Sequence, residues 1–129
     1  MKTDQVKIQD SKIEGKGVFA LKNFKRGETV LHWDISHTIT DDALEKLPAN
    51  EKRYISSLNS KNVLTQEPER YVNHSCEANT YAKDFSDIAK RDIKKDEEIT
   101  ADYSEEMPRG EKMVCRCGSK SCRKIIERR

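Results

Sequence analysis

Apolar residues in this chain come in short runs, most of them alternating with polar ones, and long helical faces are scarce. Residues 5–9, QVKIQ, alternate as a half-buried strand does. GVFAL at 17–21 is a short apolar run behind the Gly15-Lys16-Gly17 turn. FKRG at 24–27 ends in Gly27 and returns into ETVLHW, a strand–turn–strand. Thr40 suits a helix cap, Asp41 and Asp42 suit the first turn, and Pro48 marks the end. A second short helix is expected over 49–58, with Tyr54, Ile55 and Leu58 on one face. Further strands fit 62–65, 79–82, 86–91 and 97–102, with a Lys-Asp turn between Ile93 and Ile99. The polar stretch 104–112, with Pro108 and Gly110, reads as a hinge before the tail. The pattern predicts a mainly β protein of small sheets with a few short helices, without repeats or low-complexity segments.

A length of 129 residues argues for one domain. At this size folding buries only about two-thirds of the unfolded surface. With 34% hydrophobic and 37% charged residues the core is small, and a metal or ligand would help to hold it. Twenty-five basic residues against 23 acidic ones, a formal +2, argue against a dedicated nucleic-acid binder. Only 6% of residues are aromatic, too few for a stacking platform. No run approaches the ~18 apolar residues of a membrane-spanning helix, and MKTDQVKIQD carries no apolar signal region. The expected setting is intracellular and reducing: cytoplasmic, or nuclear in a eukaryote.

That setting governs how the four cysteines are read. In a reducing cell they point to a metal more readily than to disulfides. Cys115, Cys117 and Cys122 form C-x-C-x4-C, and Gly118 permits a tight turn after the second thiolate. Structural zinc takes four tetrahedral ligands. The remaining cysteine, Cys76, lies in RYVNHSC at 70–76, so a site of Cys76, Cys115, Cys117 and Cys122 accounts for every cysteine. Free buried thiols, or His32, His37 or His74 as fourth ligand, are the alternatives.

Taken in order, GKGVFA at 15–20, FKRGETV at 24–30, RYVNHSC at 70–76, DEEITADYS at 96–104 and CRCGSKSCR at 115–123 resemble the motifs of the SET family of protein-lysine methyltransferases, in its small microbial form. The resemblance implies a β-clip fold of small curved sheets with a knot-like core, in which the C-terminal segment threads through a loop of earlier chain. It implies a SET domain over 1–104, then a linker and a zinc-binding post-SET tail over 105–129. It also implies S-adenosylmethionine as methyl donor, zinc held by the NHSC cysteine and the three tail cysteines, and a protein substrate presenting an accessible lysine, such as a basic chromatin-like or ribosomal protein. A monomer is expected, with no membrane and no direct nucleic-acid partner. Ala78 stands where the family often has Pro. Ala101 stands where it often has Phe or Tyr, a position that influences how many methyls are added. The segment 34–69, where larger members carry a substrate-choosing insert, is short.

The chemistry needs few parts. A free lysine with a pKa near 10.4 is neutral in only about one molecule in ~2,500 at pH 7, a deficit of roughly 4.6 kcal/mol. A dry channel and a neighbouring sulfonium both disfavour the ammonium, and alignment of amine, methyl and sulfur contributes more. Lys16 and Gly17 are candidates for close backbone approach to the cofactor, or else an ordinary turn. Asn73 and His74 are candidates for its adenine and amino-acid ends, or else a satisfied turn. Arg70 is a candidate for its carboxylate, or for one of the protein's own. Tyr103 is the candidate catalytic residue and a cofactor neighbour, with a core tyrosine as its alternative. Tyr71, assigned to the cofactor site, and Tyr81 are further candidates for the channel wall, and Trp33 for the core. The end, RKIIERR at 123–129, reads as solvated, unless Ile125 and Ile126 cover the cofactor pocket. Against the enzyme stands a zinc-stapled module without turnover that only docks a protein or nucleic acid.

Overall fold

In this computed structural model residues 5–108, 110–115 and 117–128 are described. Along the chain run β1 (Val6–Asp10), β2 (Lys16–Ala20), β3 (Thr29–His32), β4 (Thr38–Ile39), α1 (Asp41–Lys46), α2 (Ala49–Lys52), β5 (Ile55–Leu58) and β6 (Lys61–Leu64). A 3-10 turn at Glu69–Tyr71 leads into β7 (Asn73–His74), β8 (Thr80–Lys83), β9 (Ser86–Ala89) and β10 (Glu98–Ala101). A second 3-10 turn, Tyr103–Glu105, precedes β11 (Lys112–Val114) and β12 (Ile125–Glu127). The described strands form four small sheets, ordered β1-β2-β10-β7, β3-β9-β8, β4-β6-β5 and β11-β12. No described helix is long and apolar enough to cross a membrane.

The main core is built from the inward faces of these short strands. Val18 and Ile99 are opposite each other on β2 and β10 and are fully buried. Phe24 and Ile93 exchange backbone hydrogen bonds of 2.8 Å across an isolated bridge, so the loops before β3 and β10 close onto the same core. Val30, Leu31, Val72, Ala89 and Ala101 complete it. The last of the core strands, β10, is inserted between the earlier β2 and β7, antiparallel to the first and parallel to the second. Thr40 caps α1 by accepting from Ala43 N at 3.2 Å, with Asp41 and Asp42 in the first turn, as expected.

Three expectations change. The helix expected over 49–58 ends at Lys52, and Ile55–Leu58 is a strand paired with β6. Asn59 and Ser60, at φ 50° and 62°, form the left-handed two-residue turn between them. The i, i+3 spacing of Ile55 and Leu58 suggested a helical face, but the Asn-Ser turn and the ladder to KNVL prevail. The start of the stretch 104–112 is packed: Ser104, Met107 and Pro108 are buried and Ser57 N donates to Glu106 O. The end is not simply solvated. β12 pairs with β11, and Ile126, 1% exposed, joins Met107 and Cys115 in a second small core. Ile125 is exposed, and neither isoleucine lines the large cavity described below.

Ile99 is fully buried opposite Val18 in the main core, so Ile99→Ala should lower unfolding free energy by about 2–5 kcal/mol. Urea denaturation checks this; a loss under about 1 kcal/mol would mean that this part of the core collapses around the deletion.

Candidate active site and metal centre

The parallel ladder places Thr100 against Asn73 and Ala101 against His74, so the two motif segments lie side by side. Asn73 is buried, and its side-chain amide donates to Glu14 O at 3.1 Å, Lys16 O at 2.9 Å and Glu98 Oε2 at 3.0 Å. It therefore pins the turn before β2 to β10. Gly15 supplies the positive φ of that turn, +44°. Gly17 answers a different need: a Cβ there would collide with the Glu98 carboxylate and come within 2.9 Å of Ser11 Cβ. It is a close approach between strands and does not line the cavity. Lys16 lines the cavity while its ammonium pairs with Asp10 at 2.9 Å in solvent, an arrangement that holds its pKa up.

His74 joins the two halves of the site. Its Nδ1 accepts from Tyr103 N at 3.0 Å, and its Nε2 lies 3.4 Å from Cys76 Sγ. Burial lowers its pKa against the opposing pull of Asp102, so the ring is neutral. Nδ1 as acceptor leaves the proton on Nε2, which donates to Cys76. Tyr103 stacks at a tilt on the same ring, with centroids 5.4 Å apart. Its hydroxyl donates to Val72 O. Burial, and after it the charge of Glu106, push the phenol's pKa well above its usual value, so it stays protonated.

The four cysteine sulfurs lie within 4.8 Å of one another, and Cys76 Sγ is 3.8 Å from Cys115 Sγ. A tetrahedron with Zn–S bonds of about 2.3 Å has S···S edges near 3.8 Å. The donor set and its spacing fit a zinc ion, and the cysteine, not a histidine, is the fourth member of the cluster.

Between these groups and the tail lies a cavity of about 720 Å³. Arg70, Tyr71, Asn73, His74, Ala101 and Tyr103 line it together with Lys16. Among the described residues Arg70 pairs with no carboxylate: its guanidinium sits 4.2 Å from the Tyr54 ring centroid, and its Nε is buried without a hydrogen-bond partner there. Tyr81 is 37% exposed on β8 and has no part in the wall. Trp33 belongs to the wall as well as being buried. Among the lining carboxyls that sequence reasoning missed are Glu69, Asp87 and Glu106. Burial pushes Asp87 up to about 7, with the Trp33 indole, 3.2 Å away, opposing and Glu69 adding to the rise. Burial, followed by Asp87's charge, raises Glu106 well above the carboxylate range. The alternating pattern of β9 was a signal for Asp87, since Asp87 and Ala89 share a face; nothing in the sequence marked Glu106.

The SET domain family model matches residues 15–104 of this chain. The chain belongs to the SET domain family. Histone-lysine N-methyltransferase 2D of Homo sapiens is 32% identical to this SET chain over 138 residues, covering 94% of the chain and 2% of the relative. Histone-lysine N-methyltransferase set-2 of Caenorhabditis elegans is 31% identical, covering 92% and 9%. Trithorax of Drosophila melanogaster, also named a histone-lysine N-methyltransferase, is 30% identical, covering 95% and 4%. The chain thus spans a small part of the length of these relatives. A solved structure from Plasmodium falciparum superposes with a TM-score of 0.61 at 24% identity, covering 77% of this chain and 92% of that one, which places the SET fold here.

Purified under reducing conditions, the protein should carry about one zinc per chain. Cys76→Ser should lower zinc content as much as Cys117→Ser, and a chelator should lower the melting temperature. Zinc unchanged by Cys76→Ser would remove that residue from the centre. A second expectation concerns Asp87. Its folded pKa is above the unfolded value, so the folded state binds the extra proton, and wild-type stability falls as pH rises from about 4 to about 7. Asp87→Asn removes this penalty, and the variant should gain on wild type by on the order of 4 kcal/mol across that window and no further above it. Parallel stability curves would show an unshifted Asp87.

Proposed function

We propose that this chain is an S-adenosylmethionine-dependent protein-lysine N-methyltransferase. The observation that carries the reading is Tyr103 in the wall of a cavity to which the paired 70–76 and 98–103 segments contribute. At about 720 Å³ the space is within the ~300–1,000 Å³ of small-molecule sites. Arg70 Nε, buried and lacking a partner, fits the carboxylate of the cofactor's amino-acid end. When bound, S-adenosylmethionine supplies a methyl group on a cationic sulfur.

The chain's own residues do the rest by positioning. The Tyr103 hydroxyl spends its proton on Val72 O, which leaves its oxygen lone pairs to accept an N–H of the lysine amine and turn the nitrogen towards the methyl. Because burial keeps the phenol protonated, it offers an acceptor without a charge. Asp87, pushed up to about 7 by burial, carries charge in part near neutral pH and in that form favours a cationic side chain, whereas Glu106 is raised well above the carboxylate range. The His74 bond to Tyr103 N holds the backbone of the tyrosine, so the ring has little freedom. Ala101, 3% exposed, keeps the wall shallow at the position where an aromatic would narrow it, which supports addition of more than one methyl. The names of the relatives point to a basic histone-like protein as substrate class.

Incubation of the protein with labelled S-adenosylmethionine and lysate of its source cell should label a discrete basic protein on lysine. Tyr103→Phe should keep the fold and cofactor affinity while the rate falls two to three orders of magnitude, roughly 3–4 kcal/mol. A time course by mass spectrometry should pass beyond the monomethyl product. A Tyr103→Phe protein of full activity would remove the hydroxyl from the mechanism, and a product halted at one methyl with cofactor in excess would overturn the reading of Ala101.

A further inference from the structure

Arg123 follows the last cysteine and touches two distant parts of the site at once. Its backbone N lies 3.3 Å from Cys76 Sγ and its Nε 3.4 Å from the same sulfur. Its Nη2 donates to Asp102 Oδ1 at 2.8 Å, and its Nη1 to Ser104 Oγ at 3.3 Å. Asp102 Oδ1 also accepts from Ser104 N at 3.0 Å and Ser104 Oγ at 2.6 Å. The guanidinium is therefore bonded to the residues on both sides of Tyr103, while its other edge meets the cysteine that His74 also meets. Asp102 is held below its usual pKa range in spite of burial, by Ser104 and then by Arg123, so the contact is between full charges.

We propose that Arg123 is a positioning residue for Tyr103: it fastens the 102–104 turn to the cysteine centre, so that a metal-loaded tail and a correctly set tyrosine occur together. Four thiolates and one zinc leave the centre anionic, and Asp102 adds a further negative charge; Arg123 is a cation that touches both. The planar fork is what makes this possible, because its edges point in different directions with fixed geometry. A lysine ammonium in the same place would satisfy one anion and leave the other.

The proposal rests on the methyltransferase reading only for its kinetic consequence, and the test separates the two. Arg123→Gln and Arg123→Lys would be prepared as full, zinc-loaded chains, with zinc content measured on each. Amide hydrogen exchange followed by NMR reads the positioning directly. Exchange at the Tyr103 and Ser104 amides should quicken at least tenfold in both variants, while that of Ile126 on β12 stays within threefold of wild type. In the cobalt-substituted protein the thiolate-to-metal absorption should shift in Arg123→Gln, since a donor to Cys76 is lost. With a protein substrate in hand, kcat should fall ten- to a hundredfold with little change in cofactor affinity, and Arg123→Lys should not restore it. Unchanged exchange at Tyr103 and Ser104 in a zinc-loaded variant would overturn the proposal, as would loss of zinc with normal kcat in the fraction that remains loaded. Absence of methyl transfer by wild type on any lysine would instead count against the methyltransferase reading, and the exchange measurement would still decide the role of Arg123.

Discussion

The parallel pairing of β7 with β10 spans only two residue pairs, yet each part of the site is placed through it. So short a ladder cannot hold itself. Buried side chains extend it: Thr100 N donates to Asn79 Oδ1 at 2.9 Å, Asn79 Nδ2 to Glu98 O at 2.8 Å, and Thr80 Oγ1 to Thr100 O at 2.7 Å. Each such bond contributes about 1 kcal/mol net, and far more is lost if one partner is left alone in the interior. A parallel pair also needs a long connection. Here the connection is the β8–β9 hairpin, which adds its own sheet and brings Asp87 to the cavity.

Much of this was legible before the fold was known, and the reason is local. Residues 15–20, 70–76, 98–103 and the tail cysteines bear their chemistry on consecutive or closely spaced positions. What failed was contributed by partners remote in sequence. Ile55 and Leu58 look helical until KNVL is paired against them. Ile126 looks solvated until Met107 and Cys115 are packed on it. At Gly17 the sequence did not show that a side chain would collide with Glu98. Nor did it show that the Asn73 amide, in the cavity lining, donates to two backbone carbonyls and a carboxylate of the protein.

Glu69, Asp87 and Glu106 escaped for another reason. In a chain with 37% charged residues an acid is by default a solvated residue. Only the closing of the cavity turns these three into buried groups, and burial of a carboxylate is costly unless the charge is lost or matched. The raised pKa of Glu106, an indole bond at Asp87 and a backbone bond from Asp34 N to Glu69 at 2.6 Å are among the compensations. A wall of this kind has a polarity of its own, which the aromatic content of the sequence would not suggest.

The residues that follow Ser104 bear on where the working unit ends. Residues matched by the family model stop at Ser104, but Met107, Pro108, Met113, Val114 and Cys115 form part of the cavity wall. Arg128 reaches back to donate to Ser57 O at 2.6 Å and Met107 O at 3.0 Å. Tail and body therefore share one interior surface. Grafting this tail onto another scaffold, or exchanging it for a tail of different length, alters the shape of the chamber itself, so the two segments are constrained to change together.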